Sequence, residues 1–275
     1  MFRLIPNNTK IFSSIFDTVS DILETGMLKI RHDGLYVSGL DSTHVSFIKL
    51  ELDKSDFKSY DYTKDIDLGI NFNDFVKIIK SGFNNEDVII SCKDSDRLDV
   101  YFNGNGLKKR YSLKLLYIDQ DNIDISDLDY LMELEIRSKI FHNLISSILI
   151  TESTDIIFGI NNHILNIKSE GDYSDIDIQL NKGSDISSKI KLKKDPIKNK
   201  FIRISSSQKE YELYSCEGNF ETTISINFIK NILKALSLCP YVMCNLSPNT
   251  PLRLDFMLND EGSMLQYYIS PKIVD

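Results

Sequence analysis

The lysines spaced three or four apart are the residues of this chain whose placement best suits a chemical task, and that task is holding phosphate. Lys77 and Lys80 stand three apart and Lys230 and Lys234 four apart, so each pair shares one face of a helix. Lys10 and Lys139 stand at the starts of two further segments with helical apolar spacing. From spacing alone such faces are either solvated helix surface or a contact for a nucleic-acid backbone.

Covalent and acid–base chemistry find no comparable support. His32, His44, His142 and His163 show no metal-ligand spacing with cysteines or acids. Gly104-Asn105-Gly106 reads as a turn, and no glycine is followed by a phosphate-cradling GKS or GKT. Carboxylates are abundant but fall on turns and linkers, so no general acid and base pair can be picked out. The expectation is a protein that is not an enzyme and needs no metal or cofactor.

The elements that must carry these side chains are written twice. Ile11-Phe12-Ser13-Ser14-Ile15-Phe16 recurs as Ile140-Phe141-His142-Asn143-Leu144-Ile145. Each copy predicts an amphipathic helix followed by two short alternating strands, Met27–Val37 in the first half and Ile156–Ile167 in the second. A second helix pattern at Phe72–Lys80 has its counterpart at Ile226–Leu236, again followed by strands. Duplication on this scale implies two similar α+β domains, each with two helices on antiparallel sheets.

Locally, Phe2–Ile5 predicts a strand, and Asn8 or Thr9 caps a helix running to about Ile22 through Ile11, Phe12, Ile15, Phe16, Val19, Ile22 and Leu23. Asp33-Gly34 predicts a tight hairpin turn between Met27–Arg31 and Leu35–Ser38. Val45–Leu52, Val88–Cys92, Leu98–Phe102 and Lys109–Ile118 complete the first half as strands. Residues 119–130, Asp-Gln-Asp-Asn-Ile-Asp-Ile-Ser-Asp-Leu-Asp-Tyr, are too acidic for a core element and read as a connector. The domains are then 1–118 and 131–275. Extra length in the second falls near Gly183–Lys200, whose lysine run predicts an exposed loop or hairpin.

Composition sets the outer bounds. The chain has 275 residues, 42% hydrophobic and 26% charged, the proportions of a globular protein with room for two cores. No apolar run approaches a membrane span of roughly 20 residues, and no signal-peptide pattern opens the chain. Cys92, Cys216, Cys239 and Cys244 lack CxxC spacing and read as reduced core thiols, implying an intracellular home. The net charge of −8 argues against a general nucleic-acid binder. The helix polar faces oppose that trend, carrying Lys10, Lys77, Lys80, Lys139, Lys230 and Lys234 against Asp17, Asp21 and Asp74.

Four segments resemble the proliferating cell nuclear antigen family of DNA sliding clamps. Leu40-Asp41-Ser42-Thr43-His44-Val45-Ser46 is similar to its MDSSHVS segment, and Asn85-Glu86-Asp87-Val88-Ile89 to NEDII. Leu113-Lys114-Leu115-Leu116 is similar to MKLM, and Gln266-Tyr267-Tyr268-Ile269-Ser270-Pro271-Lys272-Ile273 to the terminal KYYLAPKI. The matches run in order over nearly the whole chain, except about 183–222. The resemblance implies the DNA-clamp fold, in which two similar domains form a closed homotrimeric ring around duplex DNA. Its partners would be double-stranded DNA irrespective of sequence, DNA polymerase and other enzymes bearing the family's peptide motif, a clamp loader and further copies of itself, with no membrane. Work in a nucleus follows, or at a cytoplasmic replication site for a viral protein. Rival readings are a subunit of a heterotrimeric or checkpoint ring and a virus-encoded monomeric clamp-like factor. Twelve helices at about 10 Å spacing trace a circle about 38 Å across, leaving a hole of roughly 28 Å inside the helix radii.

The resemblance also assigns roles. Lys10, Lys77, Lys80 and Lys234 fall where the family lines its hole with bases, and Lys139 and Lys230 join them on the same faces. Asn143 and Ser146 stand where arginines are usual, so the DNA contact is expected to be weaker and redistributed, with Lys77 and Lys80 at its centre. Leu40, Val45, Ile123, Ile125, Pro251, Tyr268, Ser270 and Pro271 match the family's hydrophobic pocket, with His44 at its rim and Ser270 in place of alanine. That pocket takes a Gln-x-x-hydrophobic-x-x-aromatic-aromatic peptide. Ring closure needs two unlike edges on one chain. Arg110, Tyr111, Leu113, Lys114 and Leu115 offer a basic one, and Asp175, Ile176, Asp177, Ile178 and Leu180 an acidic one.

Overall fold

The computed structural model describes residues 1–82, 87–93, 96–104, 106–119, 125, 128–181, 193–194, 201–202 and 210–272. The chain divides into two compact units, residues 1–124 with 263–265 and residues 125–262 with 266–275. Most of the expected connector lies outside the described residues.

The first unit runs β1 (Phe2–Pro6), α1 (Thr9–Ser20), β2 (Thr25–Ile30), β3 (Gly34–Leu40), β4 (Ser46–Asp53), β5 (Phe57–Tyr62), β6 (Ile66–Asn71), α2 (Phe72–Lys80), β7 (Asp87–Cys92), β8 (Arg97–Gly104) and β9 (Leu107–Lys114). Its strands pair antiparallel in the orders β5-β1-β7-β8-β9 and β4-β3-β2-β6. The second unit runs β10 (Met132–Arg137), α3 (Ser138–Leu149), β11 (Asp155–Asn161), β12 (Ile164–Glu170), β13 (Asp175–Asn181), β14 (Lys193–Lys194), β15 (Phe201–Ile202), β16 (Tyr211–Cys216), β17 (Phe220–Ser225), α4 (Ile226–Ile232), β18 (Tyr241–Leu246), β19 (Leu252–Met257) and β20 (Met264–Ile269). The orders here are β16-β10-β18-β19-β20 and β13-β12-β11-β17. Apart from the two-residue ladder β14–β15, every element of one unit has its counterpart in the other, in the same order and with the same neighbours. That ladder pairs Lys193 with Ile202 and Lys194 with Phe201; the rest of the lysine-rich stretch lies outside the described residues.

In the first unit two strands, β5 and β6, escape the sequence pattern. Phe57-Lys58-Ser59-Tyr60-Asp61-Tyr62 alternates, but its polar positions hide it among turn formers. Helix α1 begins where expected, because the Asn8 side chain accepts hydrogen bonds from the Lys10 and Ile11 amides at 3.0 and 3.1 Å. Its inward stripe is Phe12, Ile15, Phe16 and Val19. Ile11 departs from the expected stripe and is 51% exposed. It lies one residue, about 100° of helix, off the Phe12 face.

The hairpin turn also departs from expectation. Arg31 N–H bonds Gly34 O at 2.9 Å, so His32 and Asp33 occupy the corner and Gly34 already belongs to β3. Glycine is needed there for clearance: a Cβ would stand 2.1 Å from Leu52 O on β4. The core beneath α1 and α2 is aromatic. Phe16 lies 4.7 Å from Phe12, 5.1 Å from Phe75 and 6.2 Å from Phe72, ring centre to ring centre.

Candidate nucleic-acid and partner surfaces

All six lysines of the helix faces are exposed. Two of them already have anions. Lys80 Nζ on α2 lies 2.6 Å from Asp17 Oδ1 on α1, and Lys77 Nζ lies 3.2 Å from Asp74 Oδ1 one turn away. Such half-exposed pairs contribute little to stability, yet each compensates part of its lysine's charge. Lys10, Lys139 and Lys230 have no ion pair among the described residues. On α3, Ser146 Oγ lies 3.3 Å from His142 Nδ1, and Asn143 is exposed.

Lys234 sits differently from the expectation. Helix α4 ends at Ile232, and Leu233–Ser237 continues as a 3₁₀ turn. Residues four apart across that change are no longer stacked on one α-helical face. The tighter winding brings Ala235 and Leu236 into the core.

The two expected edges are both terminal strands. β9 closes one end of its sheet, and β13 closes one end of the other unit's four-stranded sheet. On β13, Asp175 and Asp177 are exposed while Leu180 is 9% exposed. Ile178 stands opposite Ile167 of β12. Lys168 Nζ lies 4.0 Å from Asp177 Oδ2. On β9, Tyr111 and Leu107 are exposed, and Lys114 with them.

Arg110 is less available than its place on a basic edge suggests. Its Nη2 donates to Asp99 Oδ2 at 2.9 Å and its Nε to Oδ1 at 3.3 Å. Burial pushes the Asp99 carboxyl up, but the hydrogen bonds from Arg110 and Tyr101 and the guanidinium charge outweigh it, leaving its pKa below the ordinary value. The strand also stops at Lys114 rather than Ile118. Leu116 N–H bonds Gly69 O at 2.8 Å, and this bridge to β6 draws Leu115 and Leu116 off the edge.

The loop after β3 is organised by Asp41. Its Oδ1 accepts from the Val45 and Ser46 amides at 2.9 and 2.6 Å, and its Oδ2 from the Thr43 amide at 3.0 Å and from the Thr43 hydroxyl. Burial raises the Asp41 pKa, but these donors prevail and hold it below the ordinary carboxylate value. The arrangement holds His44 at φ +59° with its side chain exposed, and leaves Leu40 and Val45 half-buried. The signal for Asp41 lay in the sequence: an aspartate followed by Ser-Thr favours side chain to backbone turns.

In the second unit Ser270 is exposed, Pro251, Pro271 and Ile125 are half-buried, and Tyr268 is 7% exposed, so little of its ring is offered to a partner. Ile123 lies outside the described residues. Nearby, the Tyr130 hydroxyl donates to Pro251 O at 3.3 Å, and the Arg253 guanidinium lies 4.7 Å from the Tyr130 ring. Arg253 is anchored in turn on Asp255, which also accepts from Asn245 and Gln266 at 3.1 and 2.9 Å. Sequence reasoning missed this buried network, because only strand register brings the four residues together.

A duplicated α+β chain of this topology, with helices on one face of each sheet pair, has the fold of a DNA clamp. Residues 1–124 match the model of the proliferating cell nuclear antigen N-terminal domain. The chain resembles that family over its whole length. It is 21% identical to a DNA polymerase sliding clamp of Thermococcus onnurineus, covering 100% of this chain and 99% of that one. It is 23% identical to proliferating cell nuclear antigen 2 of Drosophila melanogaster, covering 98% and 96%. The crystal structure of the Entamoeba histolytica proliferating cellular nuclear antigen superposes with a TM-score of 0.80 at 18% identity, covering 99% of each chain.

Proposed function

We propose that this chain is a DNA sliding clamp that does no chemistry and works by topology. Three copies join head to tail, β9 of one beside β13 of the next, and encircle duplex DNA. The observation that carries this reading is the pair of unlike open edges on one chain, basic at β9 and acidic at β13. Like-with-like pairing is discouraged by charge, unlike pairing is favoured, and a heterologous contact that closes makes a ring. Both edges on one chain favour a homotrimer over a mixed ring or a monomeric factor.

Within the ring, the helix faces line the hole. Lys10, Lys139 and Lys230, without an ion pair among the described residues, supply further charge, and Lys77 and Lys80 exchange Asp74 and Asp17 for phosphate. Contacts of this kind are screened beyond about 8–10 Å and read no sequence, which suits sliding. The clamp tethers DNA polymerase and other replication or repair enzymes through short peptides that dock beside Ser270 and Pro271, and a loader opens it. It acts where replication occurs, in a nucleus or at a viral replication site.

The test combines mass with topology. Sedimentation should give a trimer, and loaded protein should stay on a nicked circular plasmid and slide off after linearisation. Ile178→Asp should give monomers that are not retained. A trimer that survives Ile178→Asp places the interface elsewhere, and equal retention on linear DNA rejects encirclement.

A further inference from the structure

The first unit's five-stranded sheet has a second face, turned away from the helices, and the lining of a depression on it carries Arg3 and Lys93 against Asp61. Phe2, Leu4, Val88, Ile90, Val100 and Phe102 are buried in the core. Alternation along the strands therefore sends Arg3, Ile89, Ser91 and Tyr101 to the opposite face, and Lys93 follows the end of β7. Register then gathers them: Arg3 stands opposite Asp61 and Ser91, and Ile89 opposite Tyr101. Between them lies a depression of about 490 Å³, lined among others by Arg3, Asp61, Ile89, Ser91, Lys93 and Tyr101.

Its chemistry is specific. Ile89 and Tyr101 give an apolar floor. The Arg110 guanidinium lies 5.6 Å from the Tyr101 ring and the tyrosine hydroxyl donates to Asp99 at 3.2 Å, so the ring is held in place. Asp61, the carboxylate of the lining, is 3.7 Å from Arg3. Lys93 is exposed and has no carboxylate partner among the described residues. A depression of about 470 Å³ on the neighbouring sheet differs: Arg31 there is held by Asp67 at 2.6 Å and Lys49 by Glu51 at 2.9 Å.

We propose that the depression between β1, β7 and β8 is a docking site for an acidic peptide carrying one bulky apolar side chain. The apolar side chain seats on Ile89 and Tyr101, and flanking carboxylates meet Arg3 and Lys93. In a chain of net charge −8, such a site selects partners by charge complementarity. Single-stranded nucleic acid fits less well, because it needs a succession of ring faces, and beside Ile89 the depression offers the single ring of Tyr101. The site lies on the sheet face opposite α1 and α2, so it needs neither the ring nor DNA.

Methyl NMR on the full chain tests this with the probe peptide Asp-Glu-Asp-Phe-Glu-Asp at low salt. Saturable shifts should appear at the Ile89 methyl. Lys93→Glu, a change at an exposed side chain, should weaken binding by about tenfold or more, as should alanine for the peptide phenylalanine. Arg3→Gln should weaken it to a lesser degree. The proposal is overturned by absence of saturable shifts, by unchanged affinity in Lys93→Glu, or by oligothymidylate moving the Ile89 methyl when the peptide does not.

Discussion

The two units share a topology element for element, yet they fill it with different chemistry. The first packs its helices on a cluster of phenylalanines and fixes both helix starts with asparagine side chains, Asn8 and Asn71. The second packs on Ile145, Ile148, Ile229 and Ile232, and neither of its helices has a side-chain cap. The first unit pairs two of its helix-face lysines with aspartates. The second buries Asp255 among three donors. Duplication has thus kept the pattern of apolar positions, which sets the fold, while the polar solutions diverged. What persists is what topology demands.

The largest effect separating the units should come from the cores. Phe16 is fully buried against three rings, so Phe16→Ala should cost about 3–5 kcal/mol. Ile145, equally buried on α3, is the smaller side chain, and Ile145→Ala should fall in the lower part of about 2–5 kcal/mol. Urea unfolding of both variants measures the difference. Equal losses would mean that the aromatic cluster adds nothing beyond buried area.

Next in size are the helix starts. Asn71 Oδ1 accepts from the Asp74 amide at 2.9 Å, and Asn8 from two amides. Alanine at either position should cost about 1 kcal/mol. Ser225 precedes α4 but makes no capping bond, so Ser225→Ala should stay within about 0.5 kcal/mol. A substantial loss at Ser225 would show that the second unit's helices are capped after all, and the contrast would fail.

Much of this was legible in the chain itself, and the exceptions have physical causes. Phe72–Lys80 appears in the structure with its expected bounds because apolar spacing, Asn71 and the two terminal lysines agree. The apolar pattern runs past the end of α4, since it does not distinguish α from 3₁₀ winding over the last turn. At Gly34, Asp-Gly signals a turn, whereas the clearance to Leu52 O depends on a strand farther along the chain. The fate of Arg110 was hidden for the same reason: its partner Asp99 lies on the neighbouring strand, and sequence shows charge without showing what neutralises it. Surfaces were therefore legible as residue types, and their compensation was not.

The smallest effect, and the sharpest in sign, is the response to acid. Asp41 of the first unit has its pKa depressed on folding by backbone and Thr43 donors. Its contribution is present above the unfolded value of about 3.9 and is lost as pH falls through the folded value. Asp255 behaves in the opposite way. Burial raises its pKa against the pull of Arg253, Gln266 and Asn245, so protonation on descending toward about 3.9 favours the folded state. As pH falls through the carboxylate range, amide exchange corrected for intrinsic rates should quicken at Thr43, Val45 and Ser46, which depend on the ionised Asp41. Over the higher part of that range β19 should hold or gain protection. Loss of protection at β19 before the Asp41 loop would reverse the order of the two carboxyls. It would mean that the donors around Asp255, and not its burial, decide its charge.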